Sequence, residues 1–475
     1  MKKYVLAVCF FLFADCLAAQ VKTAEKKHLI YGAQSFGKRS DPAMAKWRAN
    51  RFGQFIHWGL YSIPGGVWEG KTYADAAEFL QSSAHIPGPT WDSLMYRFNP
   101  EKFDARVWAA MAKQMGVKYM TITTKHHEGF CMWPSRYTDF SIANTPYKKD
   151  LLKDLIDAYT DAGIDVNVYY SVLDWHHPDW RYDIKNREDS VAFARYLDYA
   201  KNQLAELATR YPKVKGFWFD GTWDKSVMKN GKWTYDIEMM LKKLIPGVVV
   251  NSRLRADEYG KRHRDSNGDL MGDYESGYER RLPSPYDTTV TANDWEACMT
   301  IPENQWGYHK DWSLSHVKPS NEIIENIVRV VALGGNMLVN FGPKADGSFR
   351  IEETTRAREI GNWMKTNSAA IYHCDYAGLE RQDWGYYTRN TLTGKVYMVV
   401  CNIPVSYALA VNLPADTFIK AAMVLGSGQK LVPEDAAPKK FLLHLDQKKY
   451  DQPIVIELTL QKGKQENTRY QAPKT

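Results

Sequence analysis

Short apolar runs rich in β-branched and aromatic residues alternate with longer stretches of helical period over most of this chain. Residues 52–58, 118–124, 165–171, 215–220, 247–253 and 337–341 read as strands, and 104–115, 151–162, 190–211, 235–244 and 322–333 as amphipathic helices. Strand and helix in turn over roughly 300 residues predict a parallel sheet, and the length suits an α/β fold of the (β/α)8-like, TIM-type barrel better than an open doubly wound sheet. The spacing is uneven, which leaves room for an element that the pattern does not mark. After about Cys374 the grammar changes: 396–401, 408–413, 440–445 and 453–460 are short strands parted by Pro, Gly and Asp turns, which predicts a C-terminal antiparallel β-sandwich. A polar tail follows from Gln461.

The N-terminus reads as a leader. Lys2 and Lys3 precede an apolar run at 4–13, and Leu17-Ala18-Ala19 offers small residues for cleavage. The run is too short to span a bilayer. The expected organisation is therefore a signal peptide at 1–19, a catalytic barrel at 20–373 and a sandwich with its tail at 374–475. The protein is expected to be exported, periplasmic or secreted; Asp15 argues against lipid attachment at Cys16. Of six cysteines, Cys131, Cys298, Cys374 and Cys401 would remain after cleavage, without the short paired spacings of a disulfide scaffold or a Cys-based zinc site. The formal charge of +7 falls to +6 when two lysines and one aspartate leave with the leader, and no basic block points to nucleic acid.

At 475 residues, with 44% hydrophobic and 25% charged positions, the composition is globular, and a mean hydropathy of −0.47 speaks against several membrane spans. The excess lies in rings, 16 Trp and 29 Tyr, a few of which suit the flat face of a sugar.

Unusual residues collect just after the predicted strands, the face on which a parallel barrel builds its site. The strand ends read His57-Trp58-Gly59, Lys125-His126-His127-Glu128, Tyr169-Tyr170-Ser171, Trp218-Phe219-Asp220-Gly221 and Asn251-Ser252-Arg253. A lone His is usually structural and a lone Asp after a strand is often a helix cap. Five strand ends with the same bias call for a common cause. Asp220, rigidly placed after three aromatic residues, has a nucleophile's setting for attack on a glycosidic carbon. His57, His126, His127 and Arg253 suit ring hydroxyls, and Trp58, Trp218 and Trp306 suit an apolar sugar face or methyl group.

Four collinear segments carry a resemblance: Phe52-Gly53-Gln54-Phe55-Ile56-His57-Trp58-Gly59, Lys125-His126-His127-Glu128-Gly129-Phe130-Cys131-Met132-Trp133-Pro134-Ser135, Trp218-Phe219-Asp220-Gly221 and Asn340-Phe341-Gly342-Pro343-Lys344-Ala345-Asp346-Gly347. Together they resemble the signatures of the α-L-fucosidases of glycoside hydrolase family 29, in order from about residue 45 to 375. The resemblance implies a retaining exo-glycosidase that frees terminal α-L-fucose from fucosylated oligosaccharides or glycoconjugates through a covalent intermediate, with no cofactor. It implies Asp220 as nucleophile and His57, His126, His127, Tyr170, Trp218 and Arg253 as the fucose pocket. Tyr169 is the alternative to Tyr170, since only one of the two adjacent side chains can face inward. Glu78 resembles a further pocket acid, although the family more often has Trp where Phe79 stands, and Trp306 would pack near the sugar's methyl group. Glu128 replaces a commoner Asp, a structural position.

The acid/base departs from the family pattern. In Gly272-Asp273-Tyr274-Glu275-Ser276-Gly277-Tyr278-Glu279-Arg280-Arg281-Leu282-Pro283, counting back from Pro283 selects Glu279. Counting forward from Asp273 requires one inserted residue, so Glu275 and Glu296 remain alternatives. Two other readings stand beside this one: a metal-dependent barrel hydrolase using His57, His126 and His127, against which adjacent strand histidines point to opposite faces, and a non-catalytic sugar-binding barrel.

Overall fold

The computed structural model describes residues 26–34, 37–313 and 315–463. The leader expected at 1–19 and the end of the polar tail lie outside the described residues. Eight parallel strands form the first sheet: β1 (Phe52–Ile56), β2 (Tyr119–Lys125), β3 (Asp165–Ser171), β4 (Gly216–Asp220), β5 (Val249–Val250), β6 (Glu275–Glu279), β7 (Trp295–Thr300) and β8 (Asn336–Phe341). Their spatial order is β5-β4-β3-β2-β1-β8-β7-β6. The two edges meet where Asn251 bridges Tyr274, and the Ser252 N–H donates to the Tyr274 carbonyl at 3.0 Å. The sheet thus curls round into a (β/α)8-like barrel, as the alternation predicts.

Helices α1 (Pro42–Asn50), α2 (Ala105–Met115), α3 (Leu151–Asp161), α4 (Arg187–Arg210), α5 (Gly231–Leu244), α6 (Ser320–Ala332) and α7 (Ile351–Asn367) accompany the strands. Local chemistry sets several of their ends. Asp104 accepts from the N–H groups of Arg106 and Val107 to start α2, and Gly116, at φ 92°, stops it in the left-handed region. Asp150 and Asn186 cap α3 and α4 in the same way.

Within the barrel, two strands, β6 and β7, and two helices, α1 and α7, have no counterpart in the sequence reading. β6 is polar and only partly buried, and β7 carries Glu296 in its buried middle, so neither shows an apolar run. α1 opens on a readable signal, Asp41 capping and Pro42 at the first turn. It packs under the barrel instead of along its side. Its Met44 and Trp47 join Phe55, Tyr119, Tyr169, Trp218, Val249, Tyr274, Cys298, Trp306 and Leu338 in the cluster that fills the lumen. β4 shows the sorting rule: Trp218 enters the lumen, while Phe217 and Phe219 join the outer core between sheet and helices.

The C-terminal part carries β9 (Cys374–Tyr376), β10 (Gly385–Asn390), β11 (Val396–Val400), β12 (Ala408–Asn412), β13 (Thr417–Val424), β14 (Lys430–Leu431), β15 (Glu434–Ala437), β16 (Lys440–His444) and β17 (Ile454–Lys462). They form two antiparallel sheets, β9-β10-β11-β17-β13-β14 and β12-β16-β15. Along β11, Tyr397 and Val399 pack onto the barrel's outer core, while Val396, Met398 and Val400 face the sandwich core. The two parts therefore share a packed seam.

Gly53 marks how tightly the lumen is filled. A Cβ there would lie 2.6 Å from the Tyr119 ring and 2.9 Å from Leu338, and Tyr119 is tethered to Glu296 by a 2.7 Å hydrogen bond. Gly53→Ala is expected to lower unfolding free energy by about 1–3 kcal/mol, the usual cost of overpacking; a denaturation midpoint equal to wild type would show that the lumen yields.

Candidate active site

The carboxyl ends of the strands enclose a cavity of about 130 Å³, lined by residues from most of the eight strands and the loops that follow them. Its volume is well under the roughly 300–1,000 Å³ of sites for drug-sized ligands, so it fits one small ring. Asp220, the last residue of β4, faces this space. Arg253 NH1 donates to Asp220 Oδ1 at 3.0 Å, the Tyr169 hydroxyl donates to Oδ2 at 3.1 Å, and His127 Nε2 lies 4.0 Å away. Burial pushes the Asp220 carboxyl up, but the Arg253 charge, its hydrogen bond and that of the Gly221 backbone outweigh it and hold the pKa below the ordinary value. It is kept ionised.

Arg253 sits in the short turn after β5, and its second nitrogen, NH2, donates to Glu279 Oε2 at 2.8 Å. Its Nε donates to the Ser276 carbonyl at 3.0 Å, and its guanidinium lies 4.5 Å from the Trp218 ring centroid. One planar cation therefore holds two of the three acids that line the cavity, Asp220 and Glu279, and lies against its aromatic wall. Trp218 is fixed from beneath by Glu296, which accepts from Trp218 Nε1 at 2.9 Å and from Tyr119 at 2.7 Å.

The three imidazoles converge. His57 Nδ1 pairs with Asn340 Oδ1 at 2.7 Å, and Asn340 Nδ2 donates to the Trp306 backbone carbonyl at 2.7 Å, so one amide ties an imidazole to the chain segment that carries Trp306. Gly342 is needed beside it, because a Cβ there would lie 2.8 Å from the backbone of Gly307 and Tyr308. His126 and His127 both line the cavity, with ring centroids 4.2 Å apart. Their opposite pointing, expected for strand neighbours, does not occur, since β2 ends at Lys125 and the pair lies in the turn beyond it. Burial drives all three downward, His57 to about 3 and His127 to about 4, so all are neutral near pH 7. Glu78, on a short helical turn after β1, accepts from the Gly307 N–H at 2.9 Å, and burial lifts its carboxyl to about 7. Glu78 Oε1 and His126 Nδ1 are buried with no hydrogen-bond partner among the described residues, two polar atoms at the cavity suited to ligand hydroxyls.

A second ring of contacts sets the turns. Glu128 accepts from the Leu60 N–H and from Trp91 Nε1, both at 2.9 Å, tying the turn after β1 to the turn after β2. The buried pair Lys125–Asp174, at 2.9 Å, fixes the loop that bears Trp175, which packs on His127.

The α-L-fucosidase family model matches residues 16–369. The chain belongs to the α-L-fucosidase family. An α-L-fucosidase of glycoside hydrolase family 29 from Bacteroides thetaiotaomicron is 59% identical; the match covers 92% of this chain and 99% of that one, with a TM-score of 0.90. A crystal structure of a trapped covalent intermediate of an α-L-fucosidase from that organism, with 2-fluoro-fucosyl fluoride and a glutamate-to-glutamine variant, superposes equally well, at 59% identity, 92% and 100% coverage and a TM-score of 0.90. A putative α-L-fucosidase of Caenorhabditis elegans is 31% identical over 338 residues, 68% of this chain and 65% of that protein.

Of the residues singled out from the sequence of this fucosidase, His57, Glu78, His126, His127, Trp218, Asp220, Arg253, Glu279 and Trp306 line the cavity. Two do not. Tyr170 points outward, its hydroxyl donating to Gln203 Oε1 at 2.8 Å under the Lys125 ammonium, and Tyr169 is the inward member of the pair. Trp58 lies in the outer core against Phe98, Phe103 and Trp108, its Nε1 bonded to the Lys344 carbonyl. Among the alternative acids, Glu296 lies beneath Trp218 and Glu275 turns toward Ser252 and His263, both outside the cavity lining. Phe55, Phe79, Trp223 and Cys298 also line it and were not singled out. Phe55 and Trp223 stood inside or beside quoted motifs; β7, which carries Cys298, left no periodic trace.

The tyrosine assignment is directly testable. Tyr169→Phe removes a hydrogen bond to a charged group, worth about 1.5–3 kcal/mol, and is expected to lower kcat/KM for an aryl α-L-fucoside at least about tenfold. Tyr170→Phe is expected to stay near wild type, and a reversed order of the two would restore Tyr170 to the site.

The buried titratable groups also predict a pH dependence of stability. Burial raises the carboxyls of Glu78, Glu296 and Glu353 to about 7 and that of Glu128 to about 8. Stability from these raised acids is full below about 4.5, their ordinary value, and is lost as pH rises through 7 to 8. The buried neutral histidines act oppositely, because the unfolded chain takes up protons below about 6.5. Above that pH the histidine effect fades while the carboxyl loss continues. The calorimetric Tm is therefore expected to be lower at pH 8 than at pH 6.5; a Tm that climbs over that interval contradicts these burial effects.

Proposed function

We propose that this α-L-fucosidase releases a terminal α-L-fucosyl unit with retention, by double displacement, with Asp220 as nucleophile and Glu279 as general acid and base. The observation that carries this reading is the single Arg253 guanidinium bound to both carboxylates, with Asp220 held ionised against the wall of a cavity sized for one sugar ring. In the first half-reaction an Asp220 oxygen bonds to the anomeric carbon as the glycosidic oxygen departs with the proton of Glu279. In the second, water loses a proton to Glu279 and attacks the same carbon, breaking the ester and freeing fucose. Retaining enzymes place such carboxyl groups about 5–5.5 Å apart, a span that one bridging guanidinium suits.

The remaining lining residues have assignable tasks in this reading. Neutral His57, His126 and His127, with Glu78, bind the hydroxyls, and the unpartnered Glu78 Oε1 and His126 Nδ1 support that. Phe55, Trp218 and Trp306 supply an apolar surface for the methyl-bearing face. Trp223, 40% exposed at the rim, faces the leaving group. The substrates are fucosylated glycans, and the leader-like residues 1–19 favour export to the periplasm or medium; a cell-fractionation assay tests the latter.

Asp220→Ala is expected to abolish turnover with the fold intact by circular dichroism, and added azide should rescue it with an inverted fucosyl azide as product. Fucose release at the wild-type rate would overturn the assignment. Glu279→Ala should lose about 10²–10⁴-fold on natural oligosaccharides, the usual contribution of a general acid, and far less on aryl fucosides with good leaving groups. Equal losses on both would remove Glu279 from the acid role.

A further inference from the structure

A second cavity, of about 350 Å³, opens along the seam between barrel and sandwich. It reaches Ala332 and Leu333 at the end of α6, just ahead of β8. Strands enter the barrel at that end and the catalytic cavity lies where they leave it, so the two cavities occupy opposite ends of the barrel. Tyr286, from the loop after β6, forms one wall; Tyr376, Tyr386 and Tyr387, from the sandwich, form the other. Between them stands Arg381, with its guanidinium 5.4 Å from the Tyr286 ring centroid and 5.0 Å from that of Tyr386, and NH1 bonded to the Tyr286 hydroxyl at 2.8 Å.

Three features of this cavity point to one ligand chemistry. Its rings offer faces for the C–H side of a pyranose, and Tyr286 is 62% exposed, a large ring held open to solvent beside a cavity of ordinary ligand size. Two polar groups of its lining, Arg381 Nε and the hydroxyl of Tyr387, are buried without a hydrogen-bond partner among the described residues, and Tyr387 is only 3% exposed. Buried polar atoms rarely go unpaired without a reason. Glu380 and Arg381 carry opposite charges in the same lining, so no net charge selects an ion.

We propose that this tyrosine-lined cavity is a second, non-catalytic saccharide site, which holds a neutral pyranose of a glycan chain while the catalytic cavity acts on fucose. The choice of a glycan as ligand rests on the fucosidase reading above; the cavity itself does not. Because the two sites face opposite ends of the barrel, the held sugar belongs to a distant branch or a neighbouring chain. Its effect is to keep the enzyme on a glycan-rich surface, since a second attachment turns rebinding into a local event.

The test uses the full chain with its catalytic cavity saturated by a fucose-site iminocyclitol. Two fucose-free probes, an N-acetyllactosamine tetrasaccharide and a xyloglucan heptasaccharide, are titrated by calorimetry and saturation-transfer NMR. At least one probe is expected to bind, and Tyr286→Ala and Arg381→Gln are each expected to weaken it at least fivefold. Both variants should keep kcat/KM on an aryl α-L-fucoside within twofold of wild type. Absence of binding by both probes, or binding that neither variant weakens, overturns the proposal. Self-association in sedimentation that Tyr286→Ala abolishes would give the cavity to a second copy of the chain and overturn it too. A wild-type protein inert on the aryl fucoside would instead sink the fucosidase reading, whatever the probes do.

Discussion

The buried guanidinium of Arg253 is the contact on which the catalytic end of the barrel depends. Removing a cation from water costs several kcal/mol unless anions and hydrogen bonds replace the solvent, and here Asp220, Glu279, a backbone carbonyl and the face of Trp218 do so. The same arrangement lets two acids share a small enclosed space. Without the cation, burial would push the Asp220 carboxyl up toward its protonated form. With it, Asp220 stays ionised below the barrel mouth.

That clamp needs three strands in register. β4 delivers Asp220, the turn after β5 delivers Arg253, and β6 delivers Glu279, so the seam where β5 and β6 meet is also the place where the acids are joined. The lumen beneath is filled by rings, and Trp218 is anchored to Glu296 and through it to Tyr119. Neutral imidazoles complete the wall. Because burial prevents their protonation, they can present both donors and acceptors to hydroxyl groups without adding charge beside the clamp.

Much of this was legible in the sequence, for identifiable reasons. β1 to β5 and β8 are buried on both faces and therefore read as apolar runs, and the site residues stand at their ends. β6 and β7 escaped because one is polar and half exposed and the other hides Glu296 among buried neighbours. The choice between Tyr169 and Tyr170 needs the phase of the strand relative to the lumen, which two adjacent identical residues cannot reveal. Trp58 failed for a related reason: the period of two carries on past the last strand residue, so Phe55 and His57 turn inward while Ile56 and Trp58 turn outward, Trp58 toward Trp108. His126 and His127 escaped that rule, and both reached the cavity. Counting back from Pro283 selects Glu279, which lines the cavity beside Arg253, whereas the side chains of Glu275 and Glu296 lead away to His263 and Trp218.

Everything proposed for this site turns on one bond, between the carboxylate at the end of β4 and the sugar. Incubation with a 2-fluoro-fucosyl fluoride, which slows departure from the ester, followed by proteolysis and mass spectrometry, reads that bond directly. One fluorofucosyl unit per chain is expected, on the peptide containing Trp218-Phe219-Asp220-Gly221 and localised to Asp220. A label on Glu279, on Glu78 or on any other carboxylate would contradict it.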